Sequence, residues 1–296
     1  MRSIWVSPEL VGYKSAIEEA LRRRLPSESR LAQPLVDAMR HTALGGGKRL
    51  RPLFVCATCT SLGGRLEEAL APACAVEFIH TYSLIHDDLP CMDDDALRHG
   101  LPSCHVVYGE ATAILAGDAL QALAFETLSG APGVEAETRI AATATLGSAC
   151  GWSGLVGGQS FDLASAGQAV SLDRLREMHA AKSGALIRAA VELGALFAGA
   201  SDERLALAGE FASRIGLAFQ IVDDILDITQ PTGVLGKPAG SDAQANKNTF
   251  PALMGVEPAR DEAQRLLGEA LQVLEQAGLH EGSLAELGRL AVEREY

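Results

Sequence analysis

Two clusters of aspartates, each at the end of an apolar helical segment, constrain the fold of this 296-residue chain more than any other feature. The first, "HDDLPCMDDD", holds five aspartates within residues 87–95, and Pro90 ends the predicted helix. The second, "FQIVDDILDITQP", closes in the same way at Pro231. Carboxylates near a helix C-terminus are disfavoured by about 0.3–1 kcal/mol each, because the helix dipole is negative there. The clusters therefore predict bound cations, for which hard oxygen ligands favour Mg²⁺ or Ca²⁺, with a solvated surface turn as the alternative for either cluster alone.

Helical periodicity dominates the remaining sequence. Aromatic residues make up only 5% of the chain, which favours close-packed helices over strands, and no convincing strand pair is present. The chain has no long Pro/Ser linker and no repeat of fixed period, so residues 1–296 are predicted to form a single-domain all-α helical bundle. The predicted helices span about 8–24, 30–43, 52–62, 67–89, 111–129, 135–151, 171–198, 202–228 and 258–277, with a last one near 283–293.

Helical spacing places further polar residues on the same faces as the aspartates. His80 lies seven residues before Asp87 and so on nearly the same helix face, with Glu77 one turn earlier. In the second cluster the shared face is predicted to hold Gln220, Asp223 and Asp227, with Asp224 beside them.

A basic cluster, "GGGKRLRP", places Lys48, Arg49 and Arg51 directly before Pro52. Proline suits the first position of a helix, so these cations are predicted to crowd a helix N-terminus, which is itself positive. An anion such as phosphate is the expected partner, and a solvated basic turn is the alternative. Together with the aspartates, these and other basic residues predict a site for phosphorylated ligands. The other basic residues are Arg98, Lys182, Lys237 and Lys247.

Charge and composition exclude several classes of function. A formal net charge of −13 argues against a general nucleic-acid surface, which needs a basic face. No run of 18 apolar residues occurs, so no membrane span is predicted, and the N-terminus lacks the apolar core of a signal peptide. Cys56 and Cys59 form a C-x-x-C without a second pair, which favours buried free thiols over a zinc or redox site. We therefore expect a soluble cytoplasmic protein.

Six segments together resemble the trans-isoprenyl diphosphate synthase family. The first aspartate cluster is similar to the D-D-x-x-x-x-D motif of that family, and the second to its D-D-x-x-D motif. "GGGKRLRP", "GLVGGQSFDL", "HAAKSGAL" and "LGKPAGSDAQANKNTFPAL" also resemble family segments, in the expected order over residues 44–253. Each motif alone is modest, whereas six in order are specific. The most similar branch is that of the bacterial farnesyl diphosphate synthases, also called geranyltranstransferases.

The resemblance implies an all-α fold with a central active-site cavity, usually in a homodimer. It implies head-to-tail condensation of isopentenyl diphosphate with dimethylallyl or geranyl diphosphate to give farnesyl diphosphate. It also implies three Mg²⁺ ions in each substrate-bound active site, for which Mn²⁺ can substitute. The implied metal ligands are Asp87, Asp88 and Asp93 on one wall, and Asp223, Asp224 and Asp227 on the opposite wall.

Basic and polar residues receive roles from the same resemblance. Isopentenyl diphosphate would bind without metal, and the allylic cation left by ionisation would be stabilised by dipoles that are poor nucleophiles. For the allylic diphosphate the implied contacts are Arg98, Lys182 and Lys237, with Lys247 nearby. For isopentenyl diphosphate they are Lys48, Arg51 and His80. For the cation they are Gln220, Ser183 and the backbone around Lys182.

Two positions depart from the family pattern. His99 stands where the family usually has a second arginine that contacts isopentenyl diphosphate. Because histidine is only partly charged near pH 7, we expect weaker binding of that substrate, more so at high pH. Ser183 stands where threonine is common, and since the hydroxyl is retained we expect little change.

Product length is predicted from the residues before the first cluster. Family experience implies that a large residue near the fifth position before the motif blocks the growing chain, and Tyr82 stands there, followed by Ser83. This favours a fifteen-carbon product, with geranyl or geranylgeranyl diphosphate as the alternatives. Helix geometry alone places Ser83, not Tyr82, one turn before Asp87, so Tyr82 as an ordinary core residue stays open.

Three other protein classes share part of this pattern or of the expected fold. "EFIH", residues 77–80, matches a Glu-x-x-His motif of di-iron carboxylate bundles, although a second such motif is absent. A non-catalytic partner subunit would be expected to lose its acidic clusters, and both are intact here. A terpene cyclase would not need a second diphosphate site at Lys48 and Arg51.

Overall fold

Most of the computed structural model is helical, and it describes residues 7–229, 247–279 and 282–294. The all-α prediction is confirmed. The helices that the sequence predicted are α1 (Pro8–Arg24), α2 (Gln33–Ala43), α3 (Leu50–Ser61), α4 (Leu66–Asp87), α6 (Glu110–Ser129), α7 (Ala136–Cys150), α11 (Asp202–Thr229), α13 (Val256–Gln276) and α14 (Ser283–Val292).

The predicted helix over 171–198 is wrong as a single element. It consists of α9 (Leu172–His179), one turn of π-helix (Ala180–Gly184) and α10 (Ala185–Phe197). Apolar periodicity did not reveal this change, because apolar residues continue through both α-helices and the turn itself spans only five residues. Three short or polar helices were also missed, namely α5 (Cys104–Tyr108), α8 (Leu155–Ser165) and α12 (Phe250–Met254).

A small hairpin contradicts the expectation that the chain has no strand pair. Strand β1 (Leu97–Arg98) pairs antiparallel with β2 (Leu101–Pro102). The two residues between them, His99 and Gly100, both have positive φ, at 53° and 78°. Tight two-residue hairpins favour such a turn, and the His-Gly pair is an uncommon form of its sequence signal.

Local capping explains where the first and third helices begin. Ser7 accepts a hydrogen bond from the Leu10 amide and Pro8 follows as the first helical residue, so α1 starts as predicted. Helix α3 starts at Leu50 rather than at Pro52, directly after Arg49 in a left-handed conformation. Pro52 still lies in the first turn, where its missing N–H removes no helical hydrogen bond.

The centre of the fold is formed by α3, α4, α10 and α11. Helix α3 packs against α4 and α10, and α10 packs against α11, while α6 packs on α4 and α13 packs on α11. Their buried side chains form one continuous apolar cluster, in which Phe54, Phe78 and Phe211 are fully buried. Among the described helices, only α11 is long and apolar enough to span a bilayer, and 56% of its most apolar window is buried inside the protein. A core helix of a folded domain meets the same criteria.

Candidate active site

The first two aspartates of the "HDDLPCMDDD" cluster point in different directions. Helix α4 ends at Asp87, and Asp88 is its C-cap. Asp88 is almost fully buried and accepts hydrogen bonds from Arg98, whose Nε lies 2.9 Å from Asp88 Oδ1. Arg98 also reaches Asp95 at 3.1 Å. This arginine therefore holds the β1 end of the hairpin against the acidic cluster.

Asp87 instead lines the main cavity of the site. Burial raises the pKa of Asp87 to about 6, while Lys182 lowers it and the neighbouring Asp93 raises it further. A buried carboxylate with a raised pKa is stabilised in its charged form by a cation that binds beside it. The electrostatics of Asp87 thus fit a metal ligand.

The cavity below Asp87 has a volume of about 540 Å³ and lies between α4 and α8. Tyr82 and Ser83, the predicted chain-length residues, both line it. The opposite wall is apolar at Leu155 and Leu163, with Gln159 between them. A cavity with a carboxylate at one end and an apolar lining below suits an amphipathic ligand with a charged head and a hydrocarbon tail.

Lys182 lies in the π-helical turn and faces α8. Its Nζ is 2.6 Å from Asp162 Oδ2, and a Cβ built on Gly158 would lie 2.6 Å from the Lys182 Cα. Gly158 is therefore required for the close approach of α8 to this turn. Ser183 follows Lys182 in the same turn and is half-buried. Isolated π-turns inside α-helices occur frequently at functional sites.

The second aspartate cluster lies in the last two described turns of α11. Asp227 is buried in the final one, and Asp223 and Asp224 lie about one turn earlier. Asp224 is held by protein donors: Gln220 Nε2 and the Phe250 amide each lie 3.0 Å from its oxygens. Gln220 and Asp224 are in direct contact, and α11 runs unbroken from Gln220 to Asp227, so the helical spacing on which the predicted face of Gln220, Asp223 and Asp227 rests is present.

Lys247 connects the two acidic clusters. Its Nζ lies 3.0 Å from Asp93 Oδ1, and it lines a small pocket together with Gln220 and Asp224. Lys182 lines the same pocket and acts electrostatically on Asp87. The clusters, 130 residues apart in sequence, therefore border one region of the protein.

The basic cluster brings Arg51 and His80 together as predicted. Arg51 Nη1 lies 3.2 Å from His80 Nε2. Burial, and then the Arg51 charge, hold the pKa of His80 well below its usual value, so the ring is neutral and accepts this hydrogen bond. Arg51 Nε is buried without a hydrogen-bond partner among the described residues. An unpaired buried guanidinium donor fits an anionic ligand.

Lys48 lies on the other side of this basic site, next to the second acidic cluster. Burial and then the Arg294 charge lower the pKa of Lys48, while Asp223 raises it. Arg294 itself lies 2.7 Å from Asp223 Oδ1 and stacks on the Phe219 ring at 3.9 Å. The basic and acidic sites are therefore contiguous, as a reaction between two diphosphates requires.

Arg49 has a structural environment that separates it from its neighbours Lys48 and Arg51. Its side chain is buried, 2.7 Å from Glu18 and 2.5 Å from Glu77, and it donates to the Ala43 carbonyl. Glu77 is thus neutralised by an arginine. The di-iron reading of "EFIH" is therefore not supported, because a metal there would compete with two guanidinium groups.

His99 lies at the turn of the hairpin, against the glycine-rich loop. A Cβ on Gly47 would lie 3.0 Å from His99 Cε1, and the φ of Gly47 is +112°. Burial, then Arg98, Arg49 and Lys48, lower the pKa of His99. Its ring is therefore neutral at pH 7.

Sequence reasoning missed three residues at the site. Asp162 pairs with Lys182 but belongs to the unpredicted α8, and His179, stacked on Phe250, lies 3.5 Å from Asp224. Arg294 lies in a polar C-terminal sequence that carries no motif. The predicted Lys237 lies outside the described residues. Within those residues, no preformed group of three or more His, Cys, Asp or Glu could by itself enclose a metal ion.

Comparisons with known proteins agree with this geometry. The profile of the polyprenyl synthetase family matches residues 32–283. The chain is 54% identical to the farnesyl diphosphate synthase of Escherichia coli strain K12 over 246 residues, 82% of each chain. It is 44% identical to a chloroplastic geranylgeranyl pyrophosphate synthase of Capsicum annuum, over 92% of this chain and 73% of that one. A Helicobacter pylori geranyltransferase crystallised with magnesium and isoprenyl diphosphate superposes with a TM-score of 0.85, 34% identity and coverage of 98% and 97%.

Proposed function

Since the chain belongs to the polyprenyl synthetase family, it is a prenyltransferase of head-to-tail chain elongation, and we propose the residues that carry out each step. It condenses isopentenyl diphosphate with dimethylallyl or geranyl diphosphate to give farnesyl diphosphate. The observation that carries this function is the contiguity of three parts: the acidic clusters bridged by Lys247, the Arg51–His80 basic site, and the apolar cavity below Asp87.

Mg²⁺ is the metal that these residues fit. The Helicobacter pylori relative was crystallised with magnesium and isoprenyl diphosphate. Mg²⁺ in proteins commonly takes one or two carboxylates together with substrate phosphates, and the spread-out aspartates of this site suit that mode. When bound, it supplies positive charge that stabilises the departing diphosphate. We propose three ions, replaceable by Mn²⁺, held by Asp87, Asp88, Asp93, Asp223, Asp224 and Asp227.

Basic side chains of the chain orient the allylic diphosphate and neutralise its charge. Lys182 and Lys247 face the region between the acidic clusters, and Arg98 is fixed beside it by Asp88. As the allylic C–O bond breaks, these cations stabilise the negative charge that develops on the leaving group. Lys237 belongs to the same proposed set.

Neutral dipoles face the allylic carbocation. Gln220, the Ser183 hydroxyl and the backbone of the π-turn around Lys182 provide oxygen atoms that are weak nucleophiles. The double bond of isopentenyl diphosphate attacks the cation and forms the new C–C bond. A proton then leaves, and the released diphosphate accepts it. The apolar cavity excludes water, which would otherwise trap the cation as an alcohol.

Isopentenyl diphosphate occupies the basic site without metal. Arg51 offers its unpaired Nε, and Lys48 lies beside it at the border with the second acidic cluster. Neutral His80 orients Arg51 and adds little charge of its own. His99 completes the site from the hairpin, in place of the usual arginine.

Tyr82 and Ser83 limit the product to fifteen carbons by closing the cavity below Asp87. The Escherichia coli relative is a farnesyl diphosphate synthase, which favours this length. Geranylgeranyl diphosphate is the second candidate product, because the Capsicum annuum relative is a geranylgeranyl pyrophosphate synthase.

A homodimer is favoured by the distribution of exposed apolar side chains. Most of the large exposed ones lie within residues 97–163, among them Val106, Ile114, Leu115 and Trp152. Such a concentration marks an interaction surface, and a second copy is the proposed occupant. Sedimentation should give twice the chain mass of 31.1 kDa. The free thiols, including the exposed Cys91, suit a cytoplasmic protein.

The test of this function is a product assay. The full-length enzyme is incubated with radiolabelled isopentenyl diphosphate, Mg²⁺ and either dimethylallyl or geranyl diphosphate. Farnesyl diphosphate as the main product from both starters would support the proposal. The absence of any C–C bond formation would contradict it, and a twenty-carbon main product would favour the second candidate.

A further inference from the structure

We propose that Gly117 of α6 determines product length by letting the His86 imidazole of α4 pack against α6, at the wall of the chain cavity and not further into it. The inference rests on the proposed prenyltransferase activity and adds a specificity-determining pair to it. His86 lines the same cavity as Tyr82, one helical turn closer to the acidic cluster. Gly117 lies outside that lining and acts through His86.

The imidazole of His86 packs directly on the backbone of α6 at Gly117. A Cβ built on Gly117 would lie 2.6 Å from His86 Cδ2 and 2.8 Å from Cε1, and closer still to Nε2. Real Cβ atoms essentially never approach other atoms so closely. Any side chain at residue 117 would therefore displace the ring.

The missing side chain of Gly117 leaves a notch on the surface of α6, and two further contacts fix the His86 ring in this notch. His86 Nε2 lies 3.1 Å from the Ile114 carbonyl oxygen, so this nitrogen carries the proton and donates. The ring also meets Tyr82 edge to face, with centroids 5.7 Å apart. The notch thus positions His86 and Tyr82 together as one part of the cavity wall.

Helix propensity gives an independent reason to regard Gly117 as a packing residue. It is buried in the interior of the long helix α6, where glycine is less favourable than alanine. Its flanking buried residues are Ala116 and Leu120, which carry ordinary side chains. The close approach of His86 explains why this position alone lacks one.

A ring displaced from the notch has the chain cavity as its nearest open space, because the ring already lines that cavity. The displaced imidazole would shorten the space available to the growing chain. A methyl group at residue 117 therefore favours release of the shorter product without touching the diphosphate sites.

The experiment measures product distribution for Gly117→Ala with dimethylallyl diphosphate, isopentenyl diphosphate and Mg²⁺. We expect the ratio of ten- to fifteen-carbon product to rise by roughly tenfold or more, the discrimination that one methylene gives in an apolar pocket. Gly147→Ala is the matched control, because Gly147 also lies inside a helix but a Cβ there would meet only Phe125 Cε1, at 3.9 Å. Its products should match those of the wild type.

A second pair of variants tests the route through His86 and does not depend on Gly117→Ala folding. His86→Ala alone should raise the share of twenty-carbon product, because removal of the ring widens the cavity. The double variant Gly117→Ala/His86→Ala should give the same distribution as His86→Ala, since the methyl group then has no ring to displace.

Three results would overturn the inference: an unchanged distribution in active Gly117→Ala, an unchanged distribution in His86→Ala, or a shortening by Gly117→Ala that persists in the double variant. All three are ratios among the prenyl products of an active enzyme. A wild type that forms no prenyl product would instead contradict the proposed function, so the two failures are distinguishable.

Discussion

Lys247 and Asp93 form an ion pair, with 3.0 Å between Nζ and Oδ1, across 154 residues of sequence. Asp93 belongs to the first acidic cluster, whereas Lys247 lines a pocket with Gln220 and Asp224 of α11. The pair shows that the two clusters border a common region, on which the proposed mechanism depends. It also places a cation where the allylic diphosphate is proposed to bind.

Replacing Lys247 by alanine should lower kcat/KM for the allylic substrate by about 100-fold, a typical loss for one donor to developing negative charge. Steady-state kinetics with geranyl diphosphate would measure it. Arg260→Ala is the control, since this arginine is more than half exposed and pairs only weakly with Glu257. Equal activity of the two variants would remove Lys247 from the site.

Replacing Tyr82 by alanine should lengthen the products beyond fifteen carbons, because Tyr82 lines the cavity below Asp87. Tyr82→Phe keeps the ring and loses only the hydroxyl, so it should retain the wild-type product. Chromatography of the dephosphorylated products distinguishes the two. Fifteen-carbon output from Tyr82→Ala would show that Tyr82 is an ordinary core residue.

Replacing His99 by arginine should lower the KM for isopentenyl diphosphate. The pKa of His99 is lowered by burial and by neighbouring cations. The ring is therefore neutral at pH 7 and becomes protonated only at a pH below the usual pKa of histidine. A histidine that is partly charged near pH 7 would bind isopentenyl diphosphate more weakly at high pH, whereas the lowered pKa of His99 moves this pH dependence to more acidic pH. The ratio of wild-type to variant KM should therefore be largest and flat above about pH 7 and fall as the pH decreases below 6.5.

Because both enzymes bind the same substrate, the pH dependence of the substrate's own ionisation cancels in the ratio of the two KM values. An identical KM for both across the pH range would exclude His99 from the site of isopentenyl diphosphate.

Replacing Glu77 by alanine should destabilise the protein by about 3–5 kcal/mol, because it leaves the buried Arg49 without its main counter-charge. The two side chains are only 2% and 5% exposed. Glu177→Ala is the matched control, because both side chains of its ion pair with Arg174 are more than half exposed and such pairs add little to stability. Urea unfolding would compare them, and equal losses would contradict a buried ionic anchor beneath the basic site.

Sequence periodicity predicted the long helices well because each buries an apolar face of several turns. It could not predict α8, whose sequence around Gln159 and Asp162 is mixed, nor the π-turn at Lys182. The two elements meet at Gly158, whose backbone closely approaches that turn, and no local pattern records such a tertiary contact.

For the site residues too, the sequence predicted contacts within one helix or motif but not contacts between distant elements. Helical spacing predicted one face for Gln220, Asp223 and Asp227 with Asp224 beside them, and the structure shows Gln220 in contact with Asp224. The family resemblance assigned Arg51 and His80 to one diphosphate, and these two side chains are in contact where α3 packs on α4. Residue spacing along a helix could not predict the ion pairs of Arg98 with Asp88 and of Arg294 with Asp223. Arg98 belongs to the hairpin and Arg294 to the C-terminal segment, so neither lies on the same helix as its aspartate partner. Contacts between distant elements depend on the complete fold.

The most direct test of the central claim is the Mg²⁺ dependence of farnesyl diphosphate formation in the wild type, Asp87→Asn and Asp223→Asn. We predict that chelation abolishes turnover, that Mg²⁺ restores it in the wild type, and that each variant needs a higher Mg²⁺ concentration or stays inactive. Full turnover by the chelated enzyme, or wild-type Mg²⁺ dependence in both variants, would contradict the account.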